Sequence, residues 1–78
     1  MPRYFFHLHN DIDAFDEEGR DLPGLQDARA VAIQEARDMA AESVKLGRLT
    51  LSHYVAMTDK SGTTVFTTSF REAVQIVR

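Results

Sequence analysis

The sequence predicts an α+β fold. An antiparallel sheet of three or four strands carries one long helix on one face and a short C-terminal helix, in the order β-β-α-β-β-α. Three observations carry this. Leu25 to Gly47 repeats apolar residues at helical spacing. The segments on either side alternate, or are rich in β-branched and aromatic residues. Two acidic turns ending in glycine, Asp16-Glu17-Glu18-Gly19 and Asp59-Lys60-Ser61-Gly62, punctuate those segments.

Arg3 to His9 reads as the first strand. Tyr4, Phe6 and Leu8 form an apolar face for the helix, and Arg3, Phe5, His7 and His9 form a mixed one. Asn10 to Asp13 is a turn by composition. Ala14 to Asp16 is expected to be a short second strand that pairs back on the first with Phe15 inward. Arg20 to Leu22 is a brief extended piece before Pro23.

The long helix follows. At about 100° per residue, Leu25, Ala28, Ala32, Ala36, Met39, Ala40, Ser43 and Leu46 gather on one side. Within that stripe Ala28, Ala32, Ala36 and Ala40 make a ridge of small side chains, over which a sheet can approach closely. Gly24 is an acceptable N-cap, Asp27 complements the positive end of the dipole, and Gly47 suits a left-handed C-terminal position. Such a helix extends roughly 33 Å at 1.5 Å per residue. That is longer than a small sheet needs, so its last turns are expected to project and meet a second chain.

Leu49 to Thr58 is the third predicted strand, with Leu51, Val55 and Met57 on one face and Tyr54 and Ala56 on the other. Across the Asp59–Gly62 turn, Thr63 to Thr68 is the fourth. Ser69 and Glu72 form a capping box, so a short helix is expected from Phe70 to about Val77. The sheet face away from the long helix would carry Phe5, His7, His9, Tyr54 and either Val65 or Phe66. It is too apolar to stand bare in water, so the terminal helix or a second subunit is expected to cover it.

Residues 1–78 read as a single small α+β domain. Hydrophobic residues make up 44% and charged residues 27%, and 6 of 78 are Gly or Pro, an ordinary globular composition. Without cysteine there is no disulfide framework, and a reducing cytoplasm is the default location. The opening MPRYFFHLHNDID lacks the apolar run of a signal peptide, and no stretch approaches the ~20 apolar residues of a membrane span. Net charge is −3, with six carboxylates and one arginine between Asp11 and Asp21. With no basic stripe, nucleic acid is not the expected partner.

The segments MPRYFFHLH, DEEGRDLPGLQDARAVAIQEARDMA and VAMTDKSGTTVFTTSFREAVQI together resemble a family of small uncharacterised proteins. That family is common in rhizobia and related alphaproteobacteria and is grouped as a domain of unknown function. The resemblance covers nearly the whole chain and implies an α+β fold, with no assigned activity. Asp21-Leu22-Pro23-Gly24 and the following helix also resemble antitoxins of the HicB type, which would imply a regulator held by a toxin partner. No separate DNA-binding segment follows here.

The chemistry-bearing candidates are few. His7 and His9 lie two apart on one strand face, close enough to share a metal, with His53 and Asp11, Asp13 and Asp16 as further ligand types. Against this stands the plainer reading of two polar residues on the less buried face. The parity of His53 with Val55 and Met57 aims it elsewhere. The D-x-D-x-x-D spacing lacks the mid-loop Gly and terminal Glu of an EF-hand and reads as a solvated acidic turn. Ser52 and His53 are adjacent and point to opposite faces of a regular strand, so they do not make a nucleophile pair. The expectation is therefore a non-enzymatic protein with no cofactor, whose partner is itself, as a homodimer, or another protein. Phe5, Tyr54, Phe66 and Leu46 are the interface candidates. A metal site at His7 and His9, or an antitoxin-like role, is the alternative.

Overall fold

A computed structural model describes residues 1–77. Its strands are β1 (Arg3–His9), β2 (Arg20–Asp21), β3 (Tyr54–Thr58) and β4 (Thr64–Ser69), and its helices are α1 (Leu25–Lys45) and α2 (Phe70–Ala73). The four strands form an antiparallel sheet in the order β2-β1-β3-β4. The expected α+β architecture and element order are thus present. No helix among the described residues is long and apolar enough to cross a membrane.

The register sorts the side chains into two faces. Phe6 lies opposite Met57 and Leu8 opposite Val55. Met57 in turn lies opposite Phe66, and Val55 opposite Thr68. These residues, with Tyr4, face α1. There Tyr4, Phe6, Val55 and Met57 are buried against Ala28, Ala32, Ala36 and Ala40. The alanine ridge works as the periodicity predicts: three of its four residues are wholly inaccessible, so α1 lies directly on β3 and β4. Phe66 belongs to this face, with the Arg29 guanidinium of α1 5.4 Å over its ring. Of the two candidates for the outer face, Phe66 is therefore excluded.

Three boundaries differ from expectation by more than two residues. The second strand is Arg20–Asp21, and Ala14 makes only an isolated bridge to Leu8. The Phe6 N–H that would extend a ladder is taken by the Asp16 carboxylate at 3.1 Å, so pairing between the bridge and β2 stops there. The third strand starts at Tyr54 rather than Leu49, because β1 offers its last partner, His9, to Tyr54. The C-terminal helix ends at Ala73, four residues earlier than predicted. The Ala73 carbonyl accepts a 2.6 Å bond from Arg37 Nε, and Val74 is extended (φ −126°, ψ 154°). One turn suffices to bury Phe70 and Ala73.

The position of α2 corrects a further expectation. It packs against α1 and the end of β4 rather than across the outer sheet face. That face is covered over β1 by the loop 10–19. Farther across, it carries Ala56, Thr58 and Thr67. α1 starts after Gly24 and ends at Lys45, with Gly47 at φ +86° just past its end. Its 21 residues span about 32 Å, against about 17 Å for a five-residue strand, so its last turns overhang the sheet.

Candidate functional site

Two regions hold the polar and apolar groups that the fold does not consume. The first is the acidic loop over β1. Asp16 organises it. Its Oδ2 accepts the Phe6 N–H, and its Oδ1 accepts the N–H groups of Glu18 and Gly19, each at 3.1 Å. Partial burial works to raise the Asp16 carboxyl. The N–H groups of Gly19, Phe6 and Glu18, with nearby His7, outweigh that and hold it below the ordinary aspartate range. Gly19 closes the turn at φ +71°. A Cβ there would stand 2.8 Å from the Phe5 ring and 2.9 Å from the Tyr4 carbonyl oxygen, so the turn admits only glycine.

Each histidine of the chain is tied to this loop. The Asp16 N–H donates to His7 Nδ1 at 3.1 Å, and His7 Nε2 lies 3.0 Å from Thr58 Oγ1. Because Nδ1 must accept, the network assigns the proton to Nε2, which donates to Thr58. Both ring nitrogens of His7 are thereby used. His9 Nδ1 lies 3.1 Å from Asp13 Oδ1, and its ring stacks on Tyr54 at 4.6 Å and 18°. His53 Nε2 faces Asp11 Oδ1 at 3.5 Å, with its ring edge-on to Phe70. Phe15, expected inward, lies against His7 and His9 on the outer face and remains 67% exposed. The bridge pairs Ala14 with Leu8 of the α1 face, so the next residue, Phe15, points to the other side.

His7 and His9 do share a face, as their spacing predicts, but His7 offers no free lone pair. Among the described residues, no group of three or more His, Cys, Asp or Glu side chains is placed to hold a metal ion. The acidic loop is a built element that folds over its own histidines.

The second region lies where α1 overhangs the sheet. Here Arg37, Ala40, Ala41 and Val44 of α1 face Leu49 and Leu51 of the following loop, together with Phe70 and Val74. They enclose a groove of about 300 Å³ whose walls are apolar except for Arg37. Among its walls Val44 is 58% exposed and Leu49 44%. On the adjoining side Leu46 and Arg48 share a shallow cleft with Asp11, Ser43, Thr50 and His53. Arg48 also lies beside Val44 and Leu49 at the groove's margin. Sequence reasoning singled out Leu46, which lies in the adjoining cleft. It missed the groove, because Leu51 was assigned to a strand and Val74 to a helix.

The remaining interface candidates are placed as follows. Phe5 is half-buried under Gly19, Tyr54 is 38% exposed beside His9, and Phe66 is half-buried under Arg29. A third hollow, at the start of the chain, is lined by Met1, Pro2, Arg3, Tyr4, Asp21, Asp59, Lys60 and Ser61. Its arginine is fully engaged: Nε and Nη2 donate to Asp21 at 2.9 and 3.1 Å, and Nη1 donates to the Glu18 carbonyl at 2.6 Å.

Comparison with known proteins returns one family. A family model described as a domain of unknown function, DUF6894, matches residues 3–71. No curated protein and no solved structure matches the chain.

Proposed function

The chain belongs to the DUF6894 family, a domain of unknown function, and we propose that it is a non-enzymatic protein-interaction module that works as a homodimer. The observation that carries the reading is the apolar groove at the overhanging end of α1, bordered by exposed Val44 and Leu49. Exposed contiguous apolar surface rimmed by polar groups marks an interaction site more often than exposed single residues do.

Both sheet edges are protected by the fold's own devices, which turns association away from strand addition. One sheet edge is β2, two residues long and charged. The other, β4, is interrupted by a bulge beside Met57 and Thr58. At its far end the Ser69 N–H is taken by Glu72 Oε1 at 3.0 Å. Short, charged or bulged edges resist strand addition. The outer face carries the acidic loop over β1.

A second copy is the partner that the chemistry of the rim favours. Arg48 lies beside Val44 and Leu49, and Asp11 lies in the cleft that Arg48 also lines, so both signs stand next to the apolar groove. A patch of mixed sign turned through a twofold axis can meet itself with unlike charges opposed, as an isologous dimer requires. The energetics are of the right size. Burying a Val, Leu or Ile side chain contributes about 1.5–3 kcal/mol. Several per copy offset an association cost of about 4–15 kcal/mol. The same proposal sets the module in a bacterial cytoplasm, on the strength of a cysteine-free composition and a motif likeness to rhizobial chains.

Light scattering tests the reading. At high micromolar concentration the molar mass is expected at about twice the 8.8 kDa of the chain, with or without added zinc. Val44→Asp, at an exposed position, should return it to the chain mass while leaving the circular dichroism spectrum unchanged. A wild-type mass equal to that of one chain at high micromolar concentration rules the homodimer out.

A further inference from the structure

The groove stands open beside an apolar segment of the same chain that does not fill it. After Ala73 the backbone leaves α2 in an extended conformation at Val74, which is itself a wall of the groove. The next residues are Gln75, Ile76 and Val77, and both apolar ones face solvent, Ile76 at 53% and Val77 at 77% exposure. Two apolar surfaces that touch at one residue and leave each other uncovered can cover each other in a symmetric pair.

We infer that the groove of one copy is filled by residues 75–77 of a second copy, in a reciprocal exchange of C-terminal arms about a twofold axis. This rests on the self-association reading and states which segment meets which wall. Three features of the chain support it. Val74 sits on the groove's own margin, so an axis passing near it brings two grooves and two arms to one place. An extended chain advances about 3.3 Å per residue, so three residues reach about 10 Å beyond Val74, enough to enter a groove of about 300 Å³. The walls are small or branched aliphatic side chains apart from Phe70 and Arg37, chemistry suited to Ile76 and Val77. The Arg37 Nε is already committed to the Ala73 carbonyl at 2.6 Å, which holds the arm's root in place. The arm's own groove is a poor receptor for it, because at Val74 the chain runs along the wall and leaves Ile76 in solvent.

The chain has no cysteine, so engineered thiols report on this contact without background. Ala41→Cys sits on an exposed groove wall and Ile76→Cys on the arm, and each is made in a separate chain. Mixed and gently oxidised, they are expected to give a disulfide-linked heterodimer well above the yield of either like pair, and Ile76→Asp should return the mass to that of one chain. The double variant Ala41→Cys/Ile76→Cys separates the alternatives: arm exchange links two chains, whereas an arm folded into its own groove links within one. Wild-type dimers whose variants give no disulfide between position 41 of one chain and position 76 of the other, or that are undisturbed by Ile76→Asp, overturn the arm exchange and leave self-association standing. A wild-type chain that is monomeric at high micromolar concentration overturns both.

Discussion

Asp16 ties the acidic loop to β1. Its carboxylate holds three N–H groups and its own N–H fixes the His7 tautomer. Hydrogen bonds to charged groups contribute about 1.5–3 kcal/mol each in favourable settings. Asp16→Asn keeps one acceptor and loses the charge, so a net loss of about 1–3 kcal/mol is expected by urea unfolding at neutral pH. The sign of its pH dependence follows from its lowered folded value. Its contribution is complete above the ordinary aspartate range, about 4, and disappears as pH falls through the lower folded value. The gap between wild type and Asp16→Asn should therefore be flat near neutrality and close in acid. A gap that widens in acid contradicts the assignment. Asp21, held low by Arg3, and Asp59, held low by Ser61, titrate in the same sense.

Two glycines separate backbone strain from contact. Gly19 at φ +71° is crowded by Phe5 and Tyr4, and Gly47 at φ +86° has nothing within 4 Å. Gly47→Ala should cost only the left-handed penalty, about 1 kcal/mol. Gly19→Ala adds a clash with a backbone oxygen, which cannot yield as a flexible side chain can, and should cost about 2–3 kcal/mol. Equal melting temperatures for the two variants would refute this account of the turn.

At the scale of the element, α1 is defined by what it lacks. Ala28, Ala32 and Ala36 are wholly buried, and their methyl groups set the distance between helix and sheet. Overpacking a close-packed core costs about 1–3 kcal/mol. Ala32→Leu is expected in that range or above it, measured by chemical denaturation, and a neutral result would mean that the layer is looser than its burial indicates. α2 has only one turn, and its stability comes from its surroundings rather than its length. The capping box is complete: Glu72 N–H donates to Ser69 Oγ at 3.1 Å, and Ser69 N–H donates to Glu72 Oε1 at 3.0 Å. Phe70 and Ala73 then anchor it in the core.

For the molecule as a whole, size is the governing constraint. A chain this small buries only about 60% of its unfolded surface, so its margin is thin and a partner can add materially to it. Association that involves only the folded state raises the apparent stability with concentration. The melting temperature of wild type should therefore rise from low to high micromolar concentration, while that of Val44→Asp stays constant. A wild-type melting temperature indifferent to concentration would speak against the dimer independently of light scattering.

The elements themselves were written in short-range signals. The alanine period of α1, the alternation of Arg3 to His9, the two acidic turns and the Ser69–Glu72 box each depend on neighbours a few residues apart, and each is present. The same holds for the common face of His7 and His9, which strand parity alone dictates. Long-range competition decided the rest. The Phe6 N–H was available to a strand from Ala14 onward or to a carboxylate ten residues away, and Asp16 took it, which moved β2 to Arg20 and left Phe15 outside. The register against β3 put Phe66 under Arg29, and the bond from Arg37 to the Ala73 carbonyl ended α2 in time to leave a groove. A periodicity states which face a residue shares with its neighbours in sequence. Which of two distant groups satisfies a given N–H or carbonyl is a contest of geometry, and only the assembled fold holds its outcome.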